Sequence, residues 1–326
     1  MKRREFLALV GGATLAPLVA RAQQPMPLVG FLNGGVSSTG VDSTAAFRKG
    51  LSEAGLVEGR NVAVEYHWFG GEYDRVPAVI ADLIRRRVAV IATPGFPPGA
   101  LAVKAATSTI PLVFGVGDDP VKLGLVASLA RPDGNVTGIN FFVHGLVTKR
   151  LGLMRELVPK AVRIAVVVNP GNAAAAEATI REARAAAITL GMEILPFSTS
   201  SIGEIDAAFA AIASERADAL LIGGDGLLQS RRGQFATLAA RDKLPSMAPS
   251  REFSVAGTLM SYGTNVPDMF RQVGIYAGSI VKGAKPADLP VLQSTKFEFA
   301  INLQTARALG ISVPPTLLAR ADEVIE

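Results

Sequence analysis

The chain has 326 residues, enough for two domains of ~150 residues each, with 49% hydrophobic and 19% charged residues. It contains no cysteine and two histidines, His67 and His144. That excludes a disulfide framework, thiolate metal sites and thiol nucleophiles, and leaves little material for a histidine triad or a histidine metal site. The formal charge of +5 is partly local, because the first 22 residues carry Lys2, Arg3, Arg4 and Arg21 against Glu5; without them 29 basic and 27 acidic residues leave +2. The basic balance therefore gives no case for a nucleic-acid partner.

Residues 1–22 read as a secretory leader. A basic Lys2-Arg3-Arg4 is followed by an uncharged stretch to Ala20, then Ala20-Arg21-Ala22 as a small-x-small cleavage site. Arg3-Arg4-Glu5-Phe6-Leu7 resembles a twin-arginine signal with Lys2 where Ser or Thr is usual, so both twin-arginine and Sec export stay open. The expectation is a mature, periplasmic, monomeric protein cut after Ala22.

From Pro27 the pattern alternates short apolar runs with longer amphipathic stretches. Strands are expected at LVGFLN (28–33), VAVEYH (62–67), VAVIAT (88–93) and LVFGV (112–116), with helices near 41–54, 73–87 and 98–106. The alternation restarts at RIAVVVN (163–169), with strands at 192–197, 219–223 and 244–247 and helices at 173–190, 205–214 and 234–241. A further helix is expected at 265–282, a strand at 296–301 and a helix at 303–309. Repeated βαβα order predicts an α/β protein of two Rossmann-like, three-layer lobes with parallel sheets, joined by a multi-strand hinge. The expected division is 25–142 plus 263–290 for the first lobe and 143–262 plus 291–326 for the second.

No phosphate loop, nucleophile elbow or complete dinucleotide motif is present; Gly115-Val116-Gly117 begins one, but Pro120 follows. No cofactor or metal is expected. Polar residues instead collect after the strands, where open α/β sheets bind ligands. The candidates are Asn33 with Ser37, Ser38 and Thr39; Thr93 and Phe96; Asp118; Asn140; Asn169; Asp225; and Tyr262. Each also has a plain reading as a turn, a cap or a core residue. Ser37–Thr39 would face a carboxylate at a helix start, and Asp118 or Asp225 an ammonium, with Asp225 preferred and Asp118 alternatively a cap. Phe96, Phe141 and Phe142 could contact an aromatic ligand or belong to the cores. Arg85-Arg86-Arg87 and Arg231-Arg232 read as solvated helix ends.

The sequences Pro27-Leu28-Val29-Gly30-Phe31, Phe47-Arg48-Lys49-Gly50-Leu51 and Arg131-Pro132-Asp133-Gly134-Asn135-Val136-Thr137-Gly138 carry a more specific signal. So does the tail from Ile301-Asn302-Leu303-Gln304 to Ala321-Asp322-Glu323-Val324-Ile325. Together they resemble the substrate-binding proteins of ABC transporters with the type I periplasmic-binding fold, in the subfamily with tryptophan- and tyrosine-binding members. The resemblance implies a receptor that closes over a small molecule, with amino acids (aromatic ones included) and related organic acids as the options, and docks on the ABC permease. An exported enzyme using Asp118 or Asp225 as acid or base is the alternative from a different class.

Overall fold

The computed structural model describes residues 26–141, 144–294 and 297–326; the leader and Phe142 lie outside the described residues. The chain begins with β1 (Leu28–Asn33), α1 (Val41–Glu53), β2 (Ala63–Trp68), α2 (Val76–Arg85), β3 (Val90–Pro94), α3 (Pro97–Ala106), β4 (Leu112–Val116) and β5 (Val136–Asn140). Next come α4 (Val147–Leu157), β6 (Arg163–Val168), α5 (Ala173–Leu190), β7 (Glu193–Ser198), α6 (Ile202–Ser214) and β8 (Ala219–Ile222). Then follow α7 (Gly226–Ser230), α8 (Arg232–Arg241), β9 (Ser246–Ala248), α9 (Arg251–Ala256), β10 (Met260–Thr264) and α10 (Val266–Val281). The chain ends with β11 (Leu292–Gln293), β12 (Phe297–Asn302), α11 (Leu303–Ala308), α12 (Pro315–Leu318) and β13 (Glu323–Ile325).

Two sheets result, ordered β11-β5-β4-β3-β1-β2 and β13-β12-β10-β9-β8-β6-β7. Pairing is parallel except between β10 and β12. Both sheets are covered on both faces, and the strand period of two decides which core each residue joins. Val29 and Phe31 of β1 pack with Phe47, Leu51 and Val273 of α1 and α10, while Leu32 points to the opposite face with Ile80, Leu83 and Val103 of α2 and α3. In the second sheet Ile164, Val166 and Val168 face α4 and α5, and Ala165 and Val167 face Phe209, Phe235 and Phe253. This is the α/β, two-sheet architecture expected from the repeated pattern.

The chain passes from the first sheet to the second after β5, back after β10 into α10, and across again between β11 and β12. The last passage lies later than the expected boundary at 290, because Leu292 and Gln293 pair with Ile139 and Asn140 at the edge of the first sheet. Neighbouring passages are tied together: Thr264 Oγ1 donates to the Phe141 carbonyl at 2.7 Å, and Asn265 Nδ2 donates to Glu298 Oε1 at 2.7 Å. β5 and α4 were not anticipated. VTGIN is short and holds Gly138, where a Cβ would come within 2.2 Å of the Phe114 carbonyl oxygen, a packing demand that no local pattern reveals.

α10 docks against α1 almost backbone to backbone. A Cβ on Gly50 would lie 1.9 Å from the Arg271 carbonyl oxygen, and one on Gly274 would lie 2.2 Å from that of Phe47. Glycine at both positions is what permits this approach.

Candidate functional site

The carboxyl ends of both sheets' strands meet across a cleft with about 990 Å³ of empty space, part of it open to solvent. Its lining draws on both lobes: Asn33, Trp68 and Phe141 from the first, Asp225, Arg232 and Glu252 from the second. Among the described residues no cluster of three His, Cys, Asp or Glu side chains could hold a metal ion.

On the first lobe, β1 ends at buried Asn33, whose Oδ1 accepts from the Gly35 N–H at 2.8 Å and whose Nδ2 donates to the Pro94 carbonyl at 2.8 Å. This knits two strand ends into one loop surface. α1 starts without a side-chain cap, and Asp42 and Ser43 in its first turn line the cleft. Trp68, at the end of β2, lies over Gly40, where a Cβ would come within 2.1 Å of the indole ring. Phe141, Met269 and Phe270 complete an apolar wall.

On the second lobe, Asp225 caps α7. Its Oδ1 accepts from the N–H groups of Leu227 (2.8 Å) and Leu228 (3.3 Å) and from Asn169 Nδ2 (3.0 Å); its Oδ2 accepts from Asn172 Nδ2 (3.2 Å). Burial raises the Asp225 pKa above the ordinary carboxylate value, and the asparagine amides and the two N–H groups act against that. Gln229 is held between Ser250, whose Oγ donates to it at 3.0 Å, and Glu252, which accepts from it at 3.5 Å. The guanidinium of Arg232 donates to the Gln229 carbonyl at 3.3 Å.

The sequence candidates divide. Asn33 and Asp225 line the cleft, and Asn169 lies directly behind Asp225. Ser37 and Ser38 are exposed in a short 3-10 turn and are not part of the lining, which takes Val36 and Gly40 on either side of them; the Thr39 side chain is outside those described. Thr93 is fully buried, and Phe96 is a core residue packed on Phe69 and Tyr73 at 5.4 and 5.0 Å between ring centroids. Their neighbours Gly95 and Pro97 reach the cleft instead. Asn140 is buried in the sheet, and Phe141 follows it into the lining.

Asp118 is half-buried beside the cleft residue Gly117. Burial pushes its carboxyl up to about 6, opposed by the charge of Arg181 on α5. The helix that Asp118 would cap does not form: residues 120–124 make a turn, in which Asp119 accepts from the Val121 and Lys122 N–H groups at 2.9 and 3.3 Å. Tyr262 is turned away from the cleft: its ring stacks on Phe297 at 6.2 Å in a separate groove on the second lobe. Trp68, Gln229, Arg232, Ser250 and Glu252 were missed. Four of them follow the rule already in use, since Trp68 ends β2, Ser250 and Glu252 follow β9, and Gln229 follows β8 by way of α7.

Two covered sheets thus face one cleft lined from both lobes. The family model for ABC transporter substrate binding proteins matches residues 36–325. The chain belongs to this family. It is a family of extracytoplasmic substrate-binding receptors and not a class of enzymes. This substrate-binding protein is 25% identical over 268 residues to the tyrosine-binding protein of Clostridioides difficile, covering 81% of this chain and 75% of the relative. Its structure matches a conserved domain protein from Vibrio cholerae with a TM-score of 0.82 at 26% identity, over 92% of this chain and 99% of the other. An ABC domain from Streptococcus pneumoniae in complex with L-Trp gives a TM-score of 0.81 at 24% identity with the same coverage, a likeness of fold.

Proposed function

We propose that this substrate-binding protein captures a zwitterionic amino acid with an aromatic side chain between its lobes and delivers it to the membrane permease of an ABC importer, after export and removal of residues 1–22. The observation that carries this reading is the sorting of the cleft lining. One wall is aromatic and apolar, with Trp68, Phe141 and Phe270, and the polar side offers the guanidinium of Arg232 and the carboxylates of Asp42, Asp225 and Glu252. A zwitterion needs both signs of partner once water leaves, because a buried unpaired charge costs several kcal/mol, by order of magnitude. Arg232 takes the carboxylate, replacing the expected Ser37–Thr39 site. Asp225 takes the ammonium at Oδ2, where Asn172 is the one donor among the described residues and none of the described groups bonded to Asp225 is cationic. The tyrosine-binding relative supports an aromatic side chain.

The test is isothermal titration with L-tryptophan, L-tyrosine and L-leucine, alongside tryptamine and indole-3-propionate, which each lack one charge. Binding of the aromatic amino acids with much weaker binding of both single-charge analogues is the expected result. Equal binding of an analogue, or silence from all five, overturns the reading.

A further inference from the structure

Beside the cleft the two lobes touch, and they do so at glycines. Gly226 is the first residue of α7 in the second lobe; a Cβ built there would lie 3.3 Å from the Gly95 carbonyl oxygen, 3.6 Å from the Gly35 nitrogen and 3.7 Å from the Gly34 carbonyl carbon. All three atoms belong to the first lobe. From the other side, a Cβ on Gly35 would lie 3.0 Å from the Gly226 carbonyl oxygen. On the flank, a Cβ on Gly71 would lie 2.7 Å from the Ser200 carbonyl oxygen, again across the lobes.

Tyr73 fills the space between these contacts. Its ring packs on Phe96 of its own lobe and reaches Gly171 of the other, where a Cβ would be 3.2 Å from the ring. Its hydroxyl accepts from Asn169 Nδ2 at 3.3 Å, the same amide that donates to Asp225. Burial raises the Tyr73 pKa far above the ordinary phenol value, with the Asp225 carboxylate adding to this, so the hydroxyl stays neutral at physiological pH.

A side chain at Gly71, or one larger than a methyl at Gly35 or Gly226, would press the lobes apart, and even a gap of 0.5–1 Å forfeits about a quarter to a half of a contact's dispersion energy. We infer that Gly226 and Tyr73 set and hold the closed position, so that lobe closure has a favourable free energy of its own, separate from anything the ligand contributes. A ligand then shifts an equilibrium already biased toward closure, and needs less differential affinity to complete it. This holds whatever the cleft binds and does not depend on the amino-acid reading.

The absence of native cysteines lets a pair of introduced ones report on closure. Ser38 and Gly233 are exposed, one on each lobe, and Ser38→Cys with Gly233→Cys would carry spin labels for electron–electron distance measurement. In buffer the parent should show a substantial short-distance population. Gly226→Val should abolish it, and Tyr73→Phe should lower the closed-to-open ratio about five-fold, the change expected for one ordinary hydrogen bond. Tyr73→Phe removes one oxygen and keeps the ring, so it carries the test if valine at 226 folds poorly. A parent that is wholly open in buffer, or a Tyr73→Phe distribution that superimposes on the parent's, overturns the inference. Neither readout uses an amino-acid ligand, so a failed titration and a failed closure test are distinguishable.

Discussion

Asn33 and Asn169 hold equivalent places in the two lobes: each follows the inner part of its lobe's first strand, and each side-chain oxygen accepts from the N–H two residues ahead, Gly35 at 2.8 Å and Gly171 at 2.9 Å. Their amide groups differ in what they serve. Asn33 Nδ2 donates to a backbone carbonyl, whereas Asn169 Nδ2 donates to the Asp225 carboxylate and to Tyr73. Asn33→Ala should cost on the order of 1–3 kcal/mol through unsatisfied backbone groups. Asn169→Ala should cost more, because a buried carboxylate also loses a donor. Thermal melts of the two variants give the comparison; equal shifts would show that Asp225 does not depend on Asn169.

Arg232→Gln keeps a polar side chain of similar reach and removes the charge assigned to the ligand carboxylate. The affinity for an amino acid should fall by on the order of 1.5–3 kcal/mol, the worth of a hydrogen bond to a charged group, while the melting temperature stays near the parent's. Titration and a melt on the same preparation check both halves.

Asp118 makes a signed prediction about pH. Its carboxyl, near 3.8 when unperturbed, is raised to about 6 by burial. The folded state therefore holds this proton more tightly than the unfolded chain. The stability it contributes is fully present below about pH 4 and is lost as pH rises through about 6, on the order of 2–3 kcal/mol in all. Asp118→Asn should melt like the parent at about pH 4 and higher than it at about pH 7.5. A constant difference across that range would assign the effect to other groups, Glu182 foremost, since its carboxyl is also raised and feels Asp118.

Arg150 on α4 is 1% exposed, donates from Nε to the Tyr262 carbonyl at 2.7 Å, and has no hydrogen-bond partner for Nη2 among the described residues. Burial draws its guanidinium down to about 10, with Glu182 acting in the opposite sense. Such a charge contributes little net stability, so Arg150→Met should be neutral or stabilising by about 1–3 kcal/mol. Arg150→Ala should instead cost about 2–5 kcal/mol through the cavity it leaves. Chemical denaturation of both variants separates charge from volume.

The fold was legible where local pattern and tertiary demand agree. LVGFL (28–32) and IAVVV (164–168) are apolar along their length because both faces of each strand are covered, so they read as buried strands without further context. The site was legible only in part, because the strand-end rule identifies positions and not side-chain directions. Asn33 at the end of β1 and Asp225 at the start of α7 line the cleft, but Phe96 folds back under its own loop into the core. Tyr262 projects from β10 onto the α4 face, since Ser261 and Gly263 take the other side of that strand. Arg232 read as a solvated charge because nothing local reveals that the start of α8 opens toward the other lobe.

The glycine pair between α1 and α10 also has consequences for how the chain reaches its fold. α1 is sealed by a helix encoded far downstream: Arg271 pairs with Glu53 across 218 residues of sequence, and Thr137 donates to Leu289 across 152. Contacts of such long range slow folding, because chain-closure entropy must be met before they reward it. The first lobe is therefore begun first but closed only after the body of the second has been made: β6, β8 and β9 pair within a shorter stretch of chain, and β12 and β13 complete that second sheet later still. A fragment ending at residue 262 would leave Phe47 and Leu51 without α10 over them and should behave as an expanded, dye-binding state rather than a native lobe. While the chain is being made, its amino-terminal half would be the part that remains open to chaperones and proteases until α10 arrives.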